Sequence, residues 1–85
     1  VMKSQIFHKL NNFFKPEVLK VENESHLHSN HSQSPNTGNS HFFIEIKSDL
    51  LTSVSRIEGQ RLIYKALSEE MNSKIHALRI KIIYN

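Results

Sequence analysis

The stretch Ile75-His76-Ala77-Leu78-Arg79-Ile80-Lys81-Ile82-Ile83-Tyr84 guides the interpretation of the whole chain. Large apolar residues recur at every second position from Leu78 to Tyr84, and the cations Arg79 and Lys81 stand between them. A period of two with β-branched residues is typical of a strand that buries one face. The stretch therefore predicts a sheet strand with His76 at its entrance.

Similar patterns predict one helix and two more strands before residue 48. Apolar spacings of three and four predict a first helix over Met2–Phe14, and Pro16 ends it because proline lacks an amide donor. Short alternating runs predict strands at Val18–Asn23 and His41–Lys47, paired antiparallel. The expected apolar stripe of the helix consists of Met2, Ile6, Leu10, Phe13 and Phe14.

Helices are predicted between the second and third strands. Ser48 and Asp49 offer a cap for a short helical turn over residues 50–53, and a longer helix is expected over residues 54–71. Gly59 lowers helix propensity and predicts a kink or a close contact within that helix. The order of elements predicts a small α+β domain in which helices cover one face of a three-stranded sheet.

Residues 24–40 are predicted to form a flexible loop. They include three histidines, five serines and three asparagines, but only one large apolar side chain, Leu27. Such a composition buries too little apolar surface to offset the entropy lost on ordering. We expect a single domain over residues 1–85, interrupted by this histidine-rich loop.

Composition limits the available chemistry. The 85 residues contain no cysteine, which excludes disulfides, thiolate nucleophiles and all-cysteine metal sites, and leaves six histidines as the main reactive groups. The net charge of +3 is scattered rather than gathered into the patch that nucleic-acid binding favours. Glu69 and Glu70 are interpreted as a solvated helix face, because adjacent helical residues diverge by about 100°. No enzymatic turnover is expected.

The chain resembles BolA-like proteins in a series of short pieces. These pieces cover nearly the whole chain in order: Val21-Glu22-Asn23-Glu24-Ser25, Ser40-His41-Phe42, Arg61-Leu62-Ile63-Tyr64, Leu67-Ser68-Glu69-Glu70 and Ile75-His76-Ala77-Leu78. The resemblance implies the BolA fold, helix-strand-strand-helix-helix-strand, which is related to the type II KH arrangement.

The resemblance also implies a function. Members of this family partner monothiol glutaredoxins and share a [2Fe-2S] cluster with them, for assembly, trafficking or iron sensing, in the cytosol or in mitochondria. Glutaredoxin and glutathione supply the sulfur ligands, and the isolated BolA protein holds no cofactor. By this resemblance His76 is one ligand and the loop supplies the other, His28, with His26 and His31 as alternatives. Arg61 and His76 would contact the partner.

Other interpretations stay open at this point. A KH-like nucleic-acid-binding regulator is the alternative function, although the Gly-x-x-Gly loop of KH modules is absent. The loop histidines alone could bind zinc or copper. His76 could be a satisfied histidine at the edge of the core, and His41 is interpreted as a structural or hydrogen-bonding residue. His8 is expected on the helix surface.

Overall fold

A three-stranded sheet forms the frame of the molecule. The computed structural model describes residues 2–25 and 41–85. The strands are β1 (Val18–Asn23), β2 (His41–Lys47) and β3 (Ala77–Ile82), and β2 lies in the centre. β1 pairs antiparallel with β2, as predicted, whereas β3 pairs parallel with β2. A parallel pair needs a long crossover, and helices supply it here.

The helices are α1 (Met2–Phe14), α2 (Asp49–Thr52), α3 (Arg56–Ala66) and α4 (Ser68–Ser73). The prediction of one helix over residues 54–71 is wrong, because the chain leaves helical geometry at Leu67, with φ −105° and ψ 22°. Leu67 itself is fully buried. Because the apolar spacing continues across the break, periodicity alone does not reveal it.

The core lies between the helices and one face of the sheet. In the cross-strand rows Val21 is opposite Ile44, and Ile44 is opposite Ile80. Inward-facing strand residues and apolar helix residues form one cluster that includes Ile6, Leu10, Phe42, Ile44, Ile46, Ile63, Leu67 and Ile82. This arrangement confirms the predicted α+β class, with the helices packed on one side of three strands.

Two neighbouring phenylalanines at the end of α1 have different environments. Phe14 is 2% exposed, but Phe13 is 50% exposed, so its predicted place on the apolar stripe is wrong. Adjacent helical residues diverge by about 100°, and only one of the two can face the core. Beyond Phe14 the helix ends before Pro16 as predicted. Lys15 takes a positive φ of 47° as the left-handed residue that ends the helix, and its amide donates a hydrogen bond to the carbonyl oxygen of Asn11 at 3.1 Å.

Two small residues permit close packing around the crossover. Ser48 donates a hydrogen bond to the carbonyl oxygen of Phe14 at 2.8 Å and accepts one from the amide of Leu50 at 3.3 Å, which links the end of α1 to the start of α2. At Gly59, an added Cβ would lie 3.1 Å from Cδ1 of Ile82. The expected close contact at Gly59 is confirmed, and α3 continues through it.

A buried carboxylate joins α1 to α4. Glu70 is 1% exposed, its Oε2 lies 2.8 Å from Nζ of Lys9, and Gln5 also donates a hydrogen bond to it. The interpretation of Glu69 and Glu70 as a solvated face is therefore wrong for Glu70, although the side chain of Glu69 is 86% exposed. The sequence of α4 alone does not show that α1 lies against it.

We predict that Glu70 gives the folded protein a dependence on acid pH. Burial raises the pKa of Glu70, but hydrogen bonds from Lys9, its own backbone amide and Gln5 together lower that pKa below its usual 4.5. A carboxyl with a lowered folded pKa contributes stability that is present above the unfolded pKa and is lost as the pH falls through the folded pKa. The free energy of unfolding of Glu70→Gln should therefore fall less than that of the wild type on acidification.

Urea unfolding between about pH 7 and pH 3 measures this difference. Glu69→Gln is the matched control, because it removes the neighbouring exposed carboxylate that lies 3.1 Å from the same Lys9 and leaves Glu70 in place. Parallel profiles for Glu70→Gln and the wild type would contradict the assignment.

Candidate histidine site at one end of the sheet

His76 lies at the turn from α4 into β3. Ile75, at 5% exposure, anchors this turn in the core, and its amide donates a hydrogen bond to the carbonyl oxygen of Glu70 at 2.8 Å. The next residue, His76, is exposed, and β3 begins directly after it. The interpretation of His76 as a satisfied histidine at the core edge is therefore wrong. Its imidazole is accessible to a partner or an ion.

His41, the first residue of β2, is the neighbour of His76. The two ring centres are 5.2 Å apart, with 55° between the ring planes. The register explains this proximity, since His41 is opposite Ala77, the residue that follows His76. Parallel strands start at the same end of a sheet. The side chain that precedes β3 and the one that opens β2 therefore meet there.

Hydrogen bonds fix the backbone of His41. Its amide donates to Oγ of Ser25 at 3.1 Å, and its carbonyl oxygen accepts from the amide of Glu24 at 2.8 Å. His41 is 8% exposed. The interpretation of His41 as a structural or hydrogen-bonding residue stays a prediction for its side chain, and its contact with His76 was missed.

Ser25 and His41, the residues on either side of residues 26–40, are in contact with each other. Oδ1 of Asn23 accepts a hydrogen bond from the amide of Ser25 at 2.9 Å, and this local bond turns the chain at the end of β1. Oγ of Ser25 in turn accepts a hydrogen bond from the amide of His41. The predicted ligand His28 and its alternatives His26 and His31 fall in residues 26–40 and lie outside the described residues.

An ion pair beside the site connects β3 to the segment that precedes Ser25. The guanidinium of Arg79 forms two hydrogen bonds with the carboxylate of Glu24, at 2.8 and 3.3 Å, and lies 4.2 Å from the ring centre of Phe43. The hydrogen bond to Glu24 raises the pKa of Arg79. Since the Arg79 side chain is largely exposed, this pair orients the chain more than it stabilises it.

Arg61 is not part of the histidine pair. It lies on the exposed side of α3, where its Nη1 is 3.6 Å from Oε1 of Glu58. Within residues 2–25 and 41–85, no group of three or more histidine and acidic side chains is arranged to hold a metal ion. Of the predicted site residues, His76 thus lies beside His41, which the sequence did not identify as a site residue, and Arg61 lies apart from both.

The sequence contained a signal for this contact. Residues 48–76 separate β2 from β3, and a helical connection of more than about a dozen residues favours parallel neighbours. Parallel pairing would have placed His41 and His76 at the same end of the sheet.

None of the helices in the described part of the chain is both long and apolar enough to cross a membrane.

Comparisons with known proteins agree with this fold. The family model for BolA-like proteins matches residues 10–84. The DNA-binding transcriptional regulator BolA of Haemophilus influenzae is 36% identical over 74 residues, which cover 87% of this chain and 68% of the relative.

Two solved structures from Arabidopsis thaliana have a similar fold, BolA1 and the BolA domain of SufE1. Both have a TM-score of 0.83 and cover 94% of this chain and 87% of their own. Their sequence identities to this chain are 28% for BolA1 and 35% for the SufE1 domain. The matched range, the shared fold and the sequence identities show that this chain belongs to the BolA-like protein family.

Proposed function

We propose that this protein is a non-enzymatic iron-sulfur accessory protein that binds a monothiol glutaredoxin and shares a [2Fe-2S] cluster with it. One observation carries the proposal: the exposed His76 lies beside His41, where the two ends of the histidine-rich segment meet. His76 would supply one ligand to the shared cluster, and the segment would supply the other. His28 is the favoured second ligand, with His26 and His31 as alternatives.

The composition of the chain supports a shared site. Iron-sulfur clusters are held by cysteine thiolates, and histidines replace two of them in some [2Fe-2S] centres. A chain without cysteine can therefore supply imidazoles but needs thiolates from elsewhere. A monothiol glutaredoxin with glutathione supplies them, and the exposed position of His76 leaves its ring accessible to such a partner.

The position of the loop anchor supports a second ligand from the histidine-rich segment, and it suits His28 and its two alternatives alike. His28 follows Ser25 by three residues, and each residue extends the chain by at most about 3.6 Å. Ser25 is hydrogen-bonded to the backbone of His41, whose ring is next to that of His76. The covalent chain therefore allows His28 to reach the exposed His76.

The buried carboxylate of Glu70 has a structural role rather than a catalytic one. Within residues 2–25 and 41–85, Glu70 is the only carboxylate that is fully buried, and Lys9 and Gln5 engage it. A general acid or base must face a substrate, and the buried Glu70 carboxylate does not.

The guanidinium of Arg61, by contrast, is exposed, and its ion pair with Glu58 is weak. We assign Arg61 to a contact with glutathione or with the glutaredoxin.

We predict that His76→Ala abolishes the shared-cluster spectrum and leaves the fold intact. Titration into cluster-loaded monothiol glutaredoxin, followed by visible circular dichroism, should give a one-to-one spectral change with the native protein and none with His76→Ala. Because His76 is exposed, its replacement should change the stability of the fold little, and thermal unfolding checks this expectation. The control is His8→Ala, which removes an exposed histidine from α1. An unchanged spectrum with His76→Ala would rule out the assignment.

The same titration identifies the second ligand. His28→Ala should remove the spectral change, whereas His26→Ala and His31→Ala should preserve it. If one of these two variants removes the change and His28→Ala does not, the second ligand is that alternative.

We also predict that Ser25→Ala loosens the anchor of the histidine-rich segment. The substitution removes the acceptor of the buried amide of His41, and an unsatisfied buried donor costs about 1–3 kcal/mol. The variant should lose this much free energy of unfolding and exchange the His41 amide faster. Hydrogen exchange by NMR measures the latter. Ser25→Thr, which keeps a hydroxyl, is the control, and equal exchange rates in Ser25→Ala and the wild type would contradict the prediction.

Nucleic-acid binding is the second candidate, favoured by the DNA-binding regulator among the relatives. The charges oppose it, because three of the four cations on the outer face of the sheet pair with carboxylates, Lys20 with Glu22, Lys47 with Glu17 and Arg79 with Glu24, and Lys81 is the fourth. Binding to duplex or single-stranded nucleic acid at several salt concentrations discriminates the two functions. A steep salt dependence would support this candidate, and an absence of binding at low salt would remove it.

A further inference from the structure

We infer that His41 and His76 form a two-imidazole site for a divalent transition-metal ion such as Zn²⁺, built by this chain alone. The site shares His76 with the proposed cluster function, but it uses His41 instead of a loop histidine. It needs neither glutaredoxin nor a cluster. Failure of either hypothesis therefore leaves the other intact.

The separation of the two rings fits chelation of one ion. With zinc-nitrogen distances of about 2.0–2.1 Å and tetrahedral geometry, two imidazoles bound to one ion have ring centres about 5 Å apart. The observed separation is 5.2 Å. The two ring centres thus already lie at the distance that a shared ion requires.

The two histidines have complementary environments. Hydrogen bonds to Glu24 and Ser25 hold the backbone of His41, and the parallel register holds His76 beside it. An imidazole has two nitrogens, so a buried histidine can keep one hydrogen bond within the protein and present its second nitrogen to a metal. The exposed His76 gives the ion access from solvent. Two waters would complete a tetrahedral set, one more than in catalytic zinc sites, which have three protein ligands.

The choice of ion follows from the ligands. Neutral imidazole suits zinc, copper and nickel, whereas magnesium and calcium prefer oxygen ligands. A ring-ring contact without metal affinity would have a similar separation, since aromatic pairs lie about 4.5–7 Å apart. Direct titration separates these two explanations.

The test is a titration of the full chain with Zn²⁺ alone, followed by calorimetry and by NMR of the imidazole nitrogens. We expect one zinc per chain, with both His41 and His76 shifted. Loss of an outer partner of a metal ligand typically weakens binding about 10–100-fold, so loss of a ligand in His76→Ala or His41→Gln should weaken binding at least about tenfold. Exposed His76 permits a substitution that does not disturb the core, and amide NMR spectra check the fold of both variants.

Two controls locate the ion. His8→Ala should bind zinc as the native protein does, and so should a variant with His26, His28 and His31 all replaced by alanine. Loss of binding in the triple variant would overturn the proposal, because the ion would then depend on the loop. No binding by the native chain, or undiminished binding by His76→Ala, would overturn it equally. Since no glutaredoxin is present, none of these results depends on the shared cluster.

Discussion

The parallel pairing of β2 with β3 is the constraint on which the rest of the structure depends. It requires a crossover, which α2, α3 and α4 supply, and together with α1, which packs against β1, these helices cover the apolar face of the sheet. It also places the first residues of both strands at the same end, where His41 and His76 meet. The core and the candidate site thus follow from one register.

The site and the features that stabilise the fold are separate. The Glu70 carboxylate joins α1 to α4 from within the packed layer, whereas His76 is exposed at the turn between α4 and β3. This separation suits a binding protein, because the exposed ligand can engage a partner without disturbing the core. In the proposed complex, the thiolates would have to come from outside this chain, since it contains no cysteine.

The sequence predicted those features that depend on local periodicity. The spacings of α1, β1 and β2 identified their bounds because each buries one face against a single neighbouring layer. Features that depend on distant neighbours were missed: the burial of Glu70 depends on α1, and the exposure of Phe13 depends on which of two adjacent rings faces the core. His76 was identified through the family resemblance, but its contact with His41 required the register of β3.

The measurement that tests the proposed cluster function most directly is pulsed electron paramagnetic resonance of the reduced complex with glutaredoxin. Only the histidines of this chain would carry ¹⁵N, so any ¹⁵N coupling to the cluster must come from them. We expect a ¹⁵N hyperfine coupling in the complex with the native chain, and loss of this coupling with His76→Ala. A reduced cluster that forms with both proteins present but shows no ¹⁵N coupling would contradict histidine ligation by this protein.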